Sequence, residues 1–194
     1  MKSILKKRRL ILGSKSPRRS QLLKEMDLPF VKKVEDTDES YPIDLPIPEV
    51  AECIARAKAD ALKPRLKHDD IIITADTIVV CDGKIYGKPV DADQAKDYIK
   101  IISNNTHQVI TGVCLMDADK MVSFSEESEV TLKAITDEEI DYYVAEYMPI
   151  DKAGAYGIQE WFGHAKIKSI KGTYTNIMGL PVGLVYDELI KFVS

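Results

Sequence analysis

Long hydrophobic runs are missing from this chain. The longest, such as Ile71 to Ile73 and Ile78 to Cys81, fall far short of the ~20 apolar residues that a membrane-spanning helix needs, so a soluble protein with no membrane partner is expected. Cysteine is scarce as well. Cys53, Cys81 and Cys114 are odd in number, widely spaced and set among apolar or strand-like neighbours, which argues against a disulfide framework and a zinc site and makes a reducing compartment, the cytoplasm, the default. The opening MKSILKKRRLILGS is basic, but only Leu10 to Leu12 are apolar before charged, turn-forming residues, and no export signal is expected. There is no Walker A sequence and no Gly-x-Ser-x-Gly elbow, and Gly154, Gly157 and Gly163 lack the spacing and strand-to-helix setting of a dinucleotide fingerprint. His68, His107 and His164 show no metal-like pairing, and His107, at the start of a strand, reads as structural. P-loop, kinase, serine-hydrolase and His-metal chemistry are set aside on these grounds.

What is present is a chain of 194 residues, 45% apolar, able to bury one sizeable core and suited to a single domain, or to one sheet bent into two lobes. Net charge is −4, yet residues 1 to 24 carry nine cations and no acid. That asymmetry points to an anionic partner near this end. Lys2 to Arg9 read as a solvated basic extension; Arg18 and Arg19 are a different case.

Leu10 to Gly13 is a short apolar run ending in Gly-Ser-Lys-Ser, and Pro17 then opens a helix with Ser16 as its cap and Leu22, Leu23 and Met26 as its apolar stripe. A strand, loop and helix in this order aim backbone N–H groups and the positive helix end at one point, which suits a phosphate. Residues 35–48 read as an extended acidic, Pro-rich loop, and Pro48 opens an Ala-rich helix to about Leu62 that carries Lys58. Ile71 to Val80, Asp82-Gly83 and Lys84 to Tyr86 read as a hairpin with a tight primed turn. Asp91 caps a helix to about Ile102; strands follow at roughly 107–116 and 121–134, and Thr136 with Glu139 forms a capping box for a helix to about Tyr147. After Pro149 the chain reads as Gly-rich and aromatic through Gly163, then as a strand near Ile167 to Ile170, a loop to Leu180, and a helix opened by Pro181. Because hairpins break a strict βαβ rhythm, an α/β fold with a mixed sheet flanked by helices is expected.

Asp76 is the most informative position. A carboxylate bracketed by Ile71-Ile72-Ile73 and Ile78-Val79-Val80 is expensive to bury without a charge partner or metal. It is either a strand-end Asp bonded to a backbone turn, or a general base or metal ligand. The hairpin is expected to carry Lys88 back near Asp76, and Lys58 can reach the same point from the preceding helix. Arg18, Arg19, Lys58 and Lys88 together suit a triphosphate, although each lysine alone also reads as a solvated surface residue. Ser14 and Ser16 can donate to phosphate or, for Ser16 above all, simply cap the helix.

These residues together resemble the Maf family of nucleotide pyrophosphatases along nearly the whole chain. Ser14-Lys15-Ser16-Pro17-Arg18-Arg19 is similar to the family's N-terminal loop, Asp38-Glu39 to its acidic pair, and Ala55-Arg56-Ala57-Lys58-Ala59 to its helical Ala-x-x-Lys-Ala. Ala75-Asp76-Thr77, Gly87-Lys88-Pro89, Thr106-His107-Gln108-Val109 through Thr111-Gly112, Asp151 to Gln159, and Asn176 to Pro181 complete the set in order. Gly13 stands where the family commonly has alanine, a change expected to loosen the turn slightly. The basic residues ahead of Leu10 are not explained by the family pattern.

The resemblance implies a bent α/β fold shared with inosine-triphosphate pyrophosphatases, two lobes around a deep cleft, and metal-dependent release of pyrophosphate. It also implies a dTTP- and UTP-selective branch rather than a 7-methyl-GTP one, with Arg18, Thr77 and Gln159 at the positions that separate them. A glutamine amide offers donor and acceptor to a pyrimidine's imide edge. On this reading Asp76, helped by Glu39 and a divalent cation (Mg2+ or Mn2+), activates water while the cations hold pyrophosphate. The rival readings are a non-catalytic nucleotide-binding regulator of septum formation, given the family's link to cell division, and single-stranded nucleic-acid binding. The latter is disfavoured because aromatics do not interleave with the basic residues. A homodimer is a further expectation.

Overall fold

The computed structural model describes residues 2–194, the first two of them as backbone only; Met1 and the Lys2 side chain of the basic stretch lie outside the described residues. Among the described residues seven strands form, β1 (Arg9–Leu12), β2 (Phe30–Lys32), β3 (Asp70–Cys81), β4 (Lys84–Tyr86), β5 (Thr106–Met116), β6 (Met121–Leu132) and β7 (Ile167–Lys171). Their order is β2-β1-β3-β5-β6-β7, with β4 on β3. β1 runs parallel to both β2 and β3, whereas β3–β4 and β6–β7 are antiparallel. The helices are α1 (Pro17–Glu25), α2 (Ile47–Leu62), α3 (Ala92–Ile102), α4 (Asp137–Tyr147), α5 (Trp161–Lys166), α6 (Tyr174–Ile177) and α7 (Val182–Val193). The expected mixed sheet flanked by helices is therefore present. Among the described residues no helix is long and apolar enough to cross a membrane.

Two compact units are built from interleaved pieces of chain. The first takes the chain up to Asp76, Thr111–Glu126 and Gly179–Ser194; the second takes Thr77–Ile110 and Glu127–Met178. The boundary on β3 thus falls between Asp76 and Thr77.

In the first unit α2 lies on the strands through Ala55, Ala59 and Leu62, which pack with Ile11, Ile72, Cys114 and Met116. The alanines recur at four-residue spacing, Ala51, Ala55 and Ala59, all fully buried, so one face of the helix carries nothing larger than a methyl and its backbone can come close to the sheet. Gly112 on β5 completes this approach, since a Cβ there would stand 2.2 Å from the backbone nitrogen of Glu52. Burial pushes the Cys114 thiol up to about 12, so it stays protonated and acts as a small apolar group.

The basic start of the chain is less solvated than its composition suggests. Lys6 and Lys7 are exposed as expected, but Leu5 is buried, Arg8 pairs with Asp117 at 2.8 Å, and Arg9 pairs with Asp70 at 2.7 Å. The reason is that Asp70 and Asp117 are buried carboxylates, and each needs a charge partner. The hydrogen bond from Arg9 outweighs the cost of burial and holds the Asp70 carboxyl below its ordinary range. Gly13 also differs from expectation. A Cβ there would meet Leu62 Cδ1 at 2.5 Å and Thr74 Cγ2 at 2.7 Å, so the missing methyl is space that α2 and β3 already fill.

The second unit is organised around aromatics. Tyr143 of α4 and Tyr156 both pack on Phe162 of α5, with ring centroids 5.1 and 5.0 Å apart, and His107 meets Tyr156 edge-on at 5.3 Å. Asp91 caps α3, the Thr136–Glu139 capping box is formed, and Asp82 and Gly83 adopt φ of 49° and 71°, as the hairpin turn requires. The Gly-rich, aromatic segment through Gly163, to which no element was assigned from sequence, turns into α5 at Trp161. β2 and α6 were likewise not apparent from sequence. Such short elements are fixed by packing, in α5 by the fully buried Phe162, rather than by propensity.

Gly112→Ala should destabilise the protein by about 1–3 kcal/mol or more through overpacking against α2 backbone, seen as a lower urea midpoint; an unchanged midpoint contradicts the close approach. Burial lowers the His107 pKa from 6.5 to about 4. As pH falls, the unfolded chain therefore takes up this proton first, and stability that is complete above about 6.5 is lost toward about 4, by roughly 2–3 kcal/mol. Urea unfolding at pH 7 and pH 4.5 should show a smaller acid loss in His107→Asn than in wild type, and equal losses would rule this out.

Candidate active site

The first unit assembles most of the residues singled out from sequence. A buried hydrogen bond sets their register: Thr74 Oγ1 on β3 donates to the Ala55 carbonyl of α2 at 2.6 Å. Asp76 lies two residues on from Thr74, on the same face of the strand, and Lys58 lies one helical turn on from Ala55. Fixing the first pair therefore brings the second together, and Lys58 Nζ stands 2.7 Å from Asp76 Oδ1. Asp76 is 8% exposed, so its charge is met by a partner, as its apolar surroundings demand.

A second carboxylate reaches the same ammonium. Glu39 Oε1, from the loop ahead of α2, lies 2.8 Å from Lys58 Nζ, with its side chain half in solvent. Its neighbour Asp38 does something else. Its two oxygens accept from the Ser40 backbone N–H and hydroxyl, both at 2.9 Å, and these bonds, the backbone one foremost, lower the Asp38 carboxyl below its ordinary value. The acidic pair thus divides into one residue that shapes the loop and one that reaches the buried lysine.

The Gly13–Ser16 loop is tied by its own side chains. Ser16 Oγ accepts from the Arg19 backbone N–H and caps α1 behind Pro17. Ser14, buried, accepts from the Ser16 N–H and from Arg19 Nη1, both at 3.2 Å. With both hydroxyl lone pairs engaged, what Ser14 can still offer is its proton, to an acceptor such as a phosphate oxygen. Arg19 Nε donates to the Gly179 carbonyl at 2.7 Å, linking α1 to the start of the segment that leads into α7. Burial lowers the Arg19 pKa, the Asp76 and Glu39 charges oppose that shift, and Arg18 adds to it. Arg18, Arg19, Glu39 and Asp76 therefore share one electrostatic neighbourhood.

Thr77, Lys88 and Gln159 belong to the second unit. Thr77 is half-buried on β3, and Lys88 is exposed just past Gly87, whose carbonyl accepts the Gly154 N–H at 3.1 Å. Gln159 Nε2 donates to Glu160 Oε1 at 3.4 Å, while its Oε1 is buried with no hydrogen-bond partner among the described residues.

Sequence reading missed an ion cluster beside this glutamine. Lys152, 7% exposed, lies 2.7 Å from Asp151 and 3.2 Å from Glu160. Glu160 also accepts from the Tyr143 hydroxyl, which in turn accepts the Gly157 N–H at 2.9 Å. The available signal was a lysine amid Gly and Ala ahead of buried aromatics. Tyr143, on α4, which donates to Glu160, could not be assigned to the cluster without the fold.

As to a metal, among the described residues no group of three or more His, Cys, Asp or Glu side chains could hold one. Two hard carboxylates converging on one ammonium nevertheless leave one net negative charge, and a magnesium-like ion is commonly held by one or two carboxylates with substrate phosphates and water supplying the rest. Asp76 and Glu39 fit that pattern.

The Maf-like protein family profile matches residues 9–192. The chain is 48% identical to a dTTP/UTP pyrophosphatase of Parabacteroides distasonis over 189 residues, covering 97% of this chain and 98% of that one. It is 46% identical to one of Bacteroides thetaiotaomicron over 96% and 97% of the two chains, and 45% identical to one of Flavobacterium johnsoniae over the full length of both. The solved Staphylococcus aureus Ham1 protein shows a looser likeness, with a TM-score of 0.47 and 12% identity over 64% of this chain and 71% of its own. By the profile match and these near full-length relatives, the chain belongs to the Maf family.

Proposed function

We propose that this protein is a nucleoside-triphosphate pyrophosphatase that hydrolyses dTTP and UTP to the monophosphate and pyrophosphate. Relatives bearing that name at 45–48% identity over nearly the whole chain support the substrate class. The observation that carries the chemistry is the buried Asp76 carboxylate on Lys58, with Glu39 beside it.

Asp76 acts as general base. It takes a proton from water as the water oxygen bonds to the α-phosphorus, and the bond from that phosphorus to the α–β bridging oxygen breaks, so that pyrophosphate leaves with the electron pair. Lys58 holds the Asp76 carboxylate in place and presents positive charge to the phosphates. Arg18, Arg19 and Lys88 add cations, and Ser14 donates its hydroxyl to a phosphate oxygen; stabilising the developing charge on the leaving group is the larger part of the rate. Ser16 keeps the loop on the helix end. Asp76 and Glu39 would hold a divalent cation, which when bound supplies Lewis-acid neutralisation of phosphate charge. Arg18, Thr77 and Gln159 select the base, with the Gln159 amide facing the imide edge of thymine or uracil.

Asp76→Asn should lower kcat by about 10²–10⁴-fold with KM little changed. The measurement is pyrophosphate release with magnesium from a panel of dTTP, UTP, CTP and 7-methyl-GTP. Wild-type turnover by the variant removes Asp76 from the mechanism, and preference for 7-methyl-GTP overturns the substrate assignment.

A further inference from the structure

We propose that Glu160 is a positioning residue that fixes which end of the Gln159 amide meets the base, and thereby makes the protein choose uracil or thymine over cytosine. The inference rests on the reading above, in which Gln159 faces the pyrimidine edge.

An amide side chain has an acceptor end and a donor end that differ little in shape, so its orientation is set by its neighbours. Among the described residues the hydrogen-bond partner of the Gln159 side chain is the Glu160 carboxylate, which can only accept. The Gln159 nitrogen therefore faces it, at 3.4 Å, and the oxygen becomes the end left to bind. That oxygen is buried and lacks a donor among the described residues. An acceptor held in this state costs about 1–3 kcal/mol, which an arriving N–H group recovers.

Glu160 is itself held from two sides. Lys152 Nζ stands 3.2 Å from Oε1, and the Tyr143 hydroxyl donates to Oε2. Burial and the Glu160 charge both push the Tyr143 phenol above its ordinary value, so it keeps its proton and serves Glu160 as a donor. Tyr143 is fully buried among Phe162, Tyr147 and Trp161, and its hydroxyl also receives the Gly157 N–H at 2.9 Å. The chain from α4 through Tyr143 to Glu160 to Gln159 therefore has its direction of donation fixed at each step.

Base choice follows from this direction. Uracil and thymine carry N–H at ring position 3, a donor that matches the waiting oxygen. Cytosine carries a bare nitrogen lone pair there, so two acceptors would face each other. A site built to meet one hydrogen-bonding group rejects an analogue that leaves it unmatched. Replacing the carboxylate with an amide, which can donate as well as accept, frees Gln159 to turn over.

The test is the ratio of kcat/KM for UTP to that for CTP, in wild type and Glu160→Gln. The ratio is expected to fall about tenfold or more, in part because CTP turnover rises, as one hydrogen bond loses its fixed sense. A merely structural role for Glu160 lowers both activities together and leaves the ratio where it was, which overturns the proposal. If Glu160→Gln does not fold, Tyr143→Phe removes one of the two holds on Glu160 and should lower the same ratio by less; an unchanged ratio there also overturns it. A wild type that does not separate UTP from CTP instead sinks the underlying reading of Gln159, and the two failures are thus distinguishable.

Discussion

The candidate site depends on one ammonium group shared by two carboxylates. Lys58 meets the buried Asp76 at 2.7 Å and the half-exposed Glu39 at 2.8 Å. A carboxylate buried alone in an apolar strand is costly, because it loses its hydration and gains nothing in return. The Lys58 ammonium at 2.7 Å offsets that cost. The second carboxylate leaves the group with negative charge in excess, a setting that favours a cation accompanying an anionic substrate.

That contact is prepared by features that do no chemistry. Three alanines on α2 and the glycine at 112 let helix and sheet approach, and the Thr74–Ala55 bond sets the register. Within the same unit, Ser14 and Arg19 tie the β1–α1 loop to itself and to Gly179. Close packing thus places the charges, and their chemistry follows from where they are placed.

Much of this was legible in sequence, for identifiable reasons. Asp76 stood out because a charge inside a β-branched run breaks the local pattern, and Ser16-Pro17 stood out because a cap and a first-turn proline are local signals. The Thr136–Glu139 capping box, the Asp82-Gly83 turn and the mixed sheet were readable on the same basis. What could not be read depends on residues far apart in the chain. Arg8 and Arg9 read as solvated, but each meets a buried carboxylate from far along the chain, Asp117 and Asp70. The Lys152–Glu160–Tyr143 cluster joins α4 to a turn whose neighbours are set by aromatic packing, and α5 exists because Phe162 is buried, not because its six residues favour a helix.

Attack of water on the α-phosphorus leaves a mark that oxygen-18 reads out. Turnover of UTP in H2 18O, followed by mass spectrometry of the products, should place one label in UMP and none in pyrophosphate. Label in pyrophosphate, or release of orthophosphate in its place, would mean that the bond broken is not the one this arrangement of Asp76, Lys58 and Glu39 is proposed to cleave.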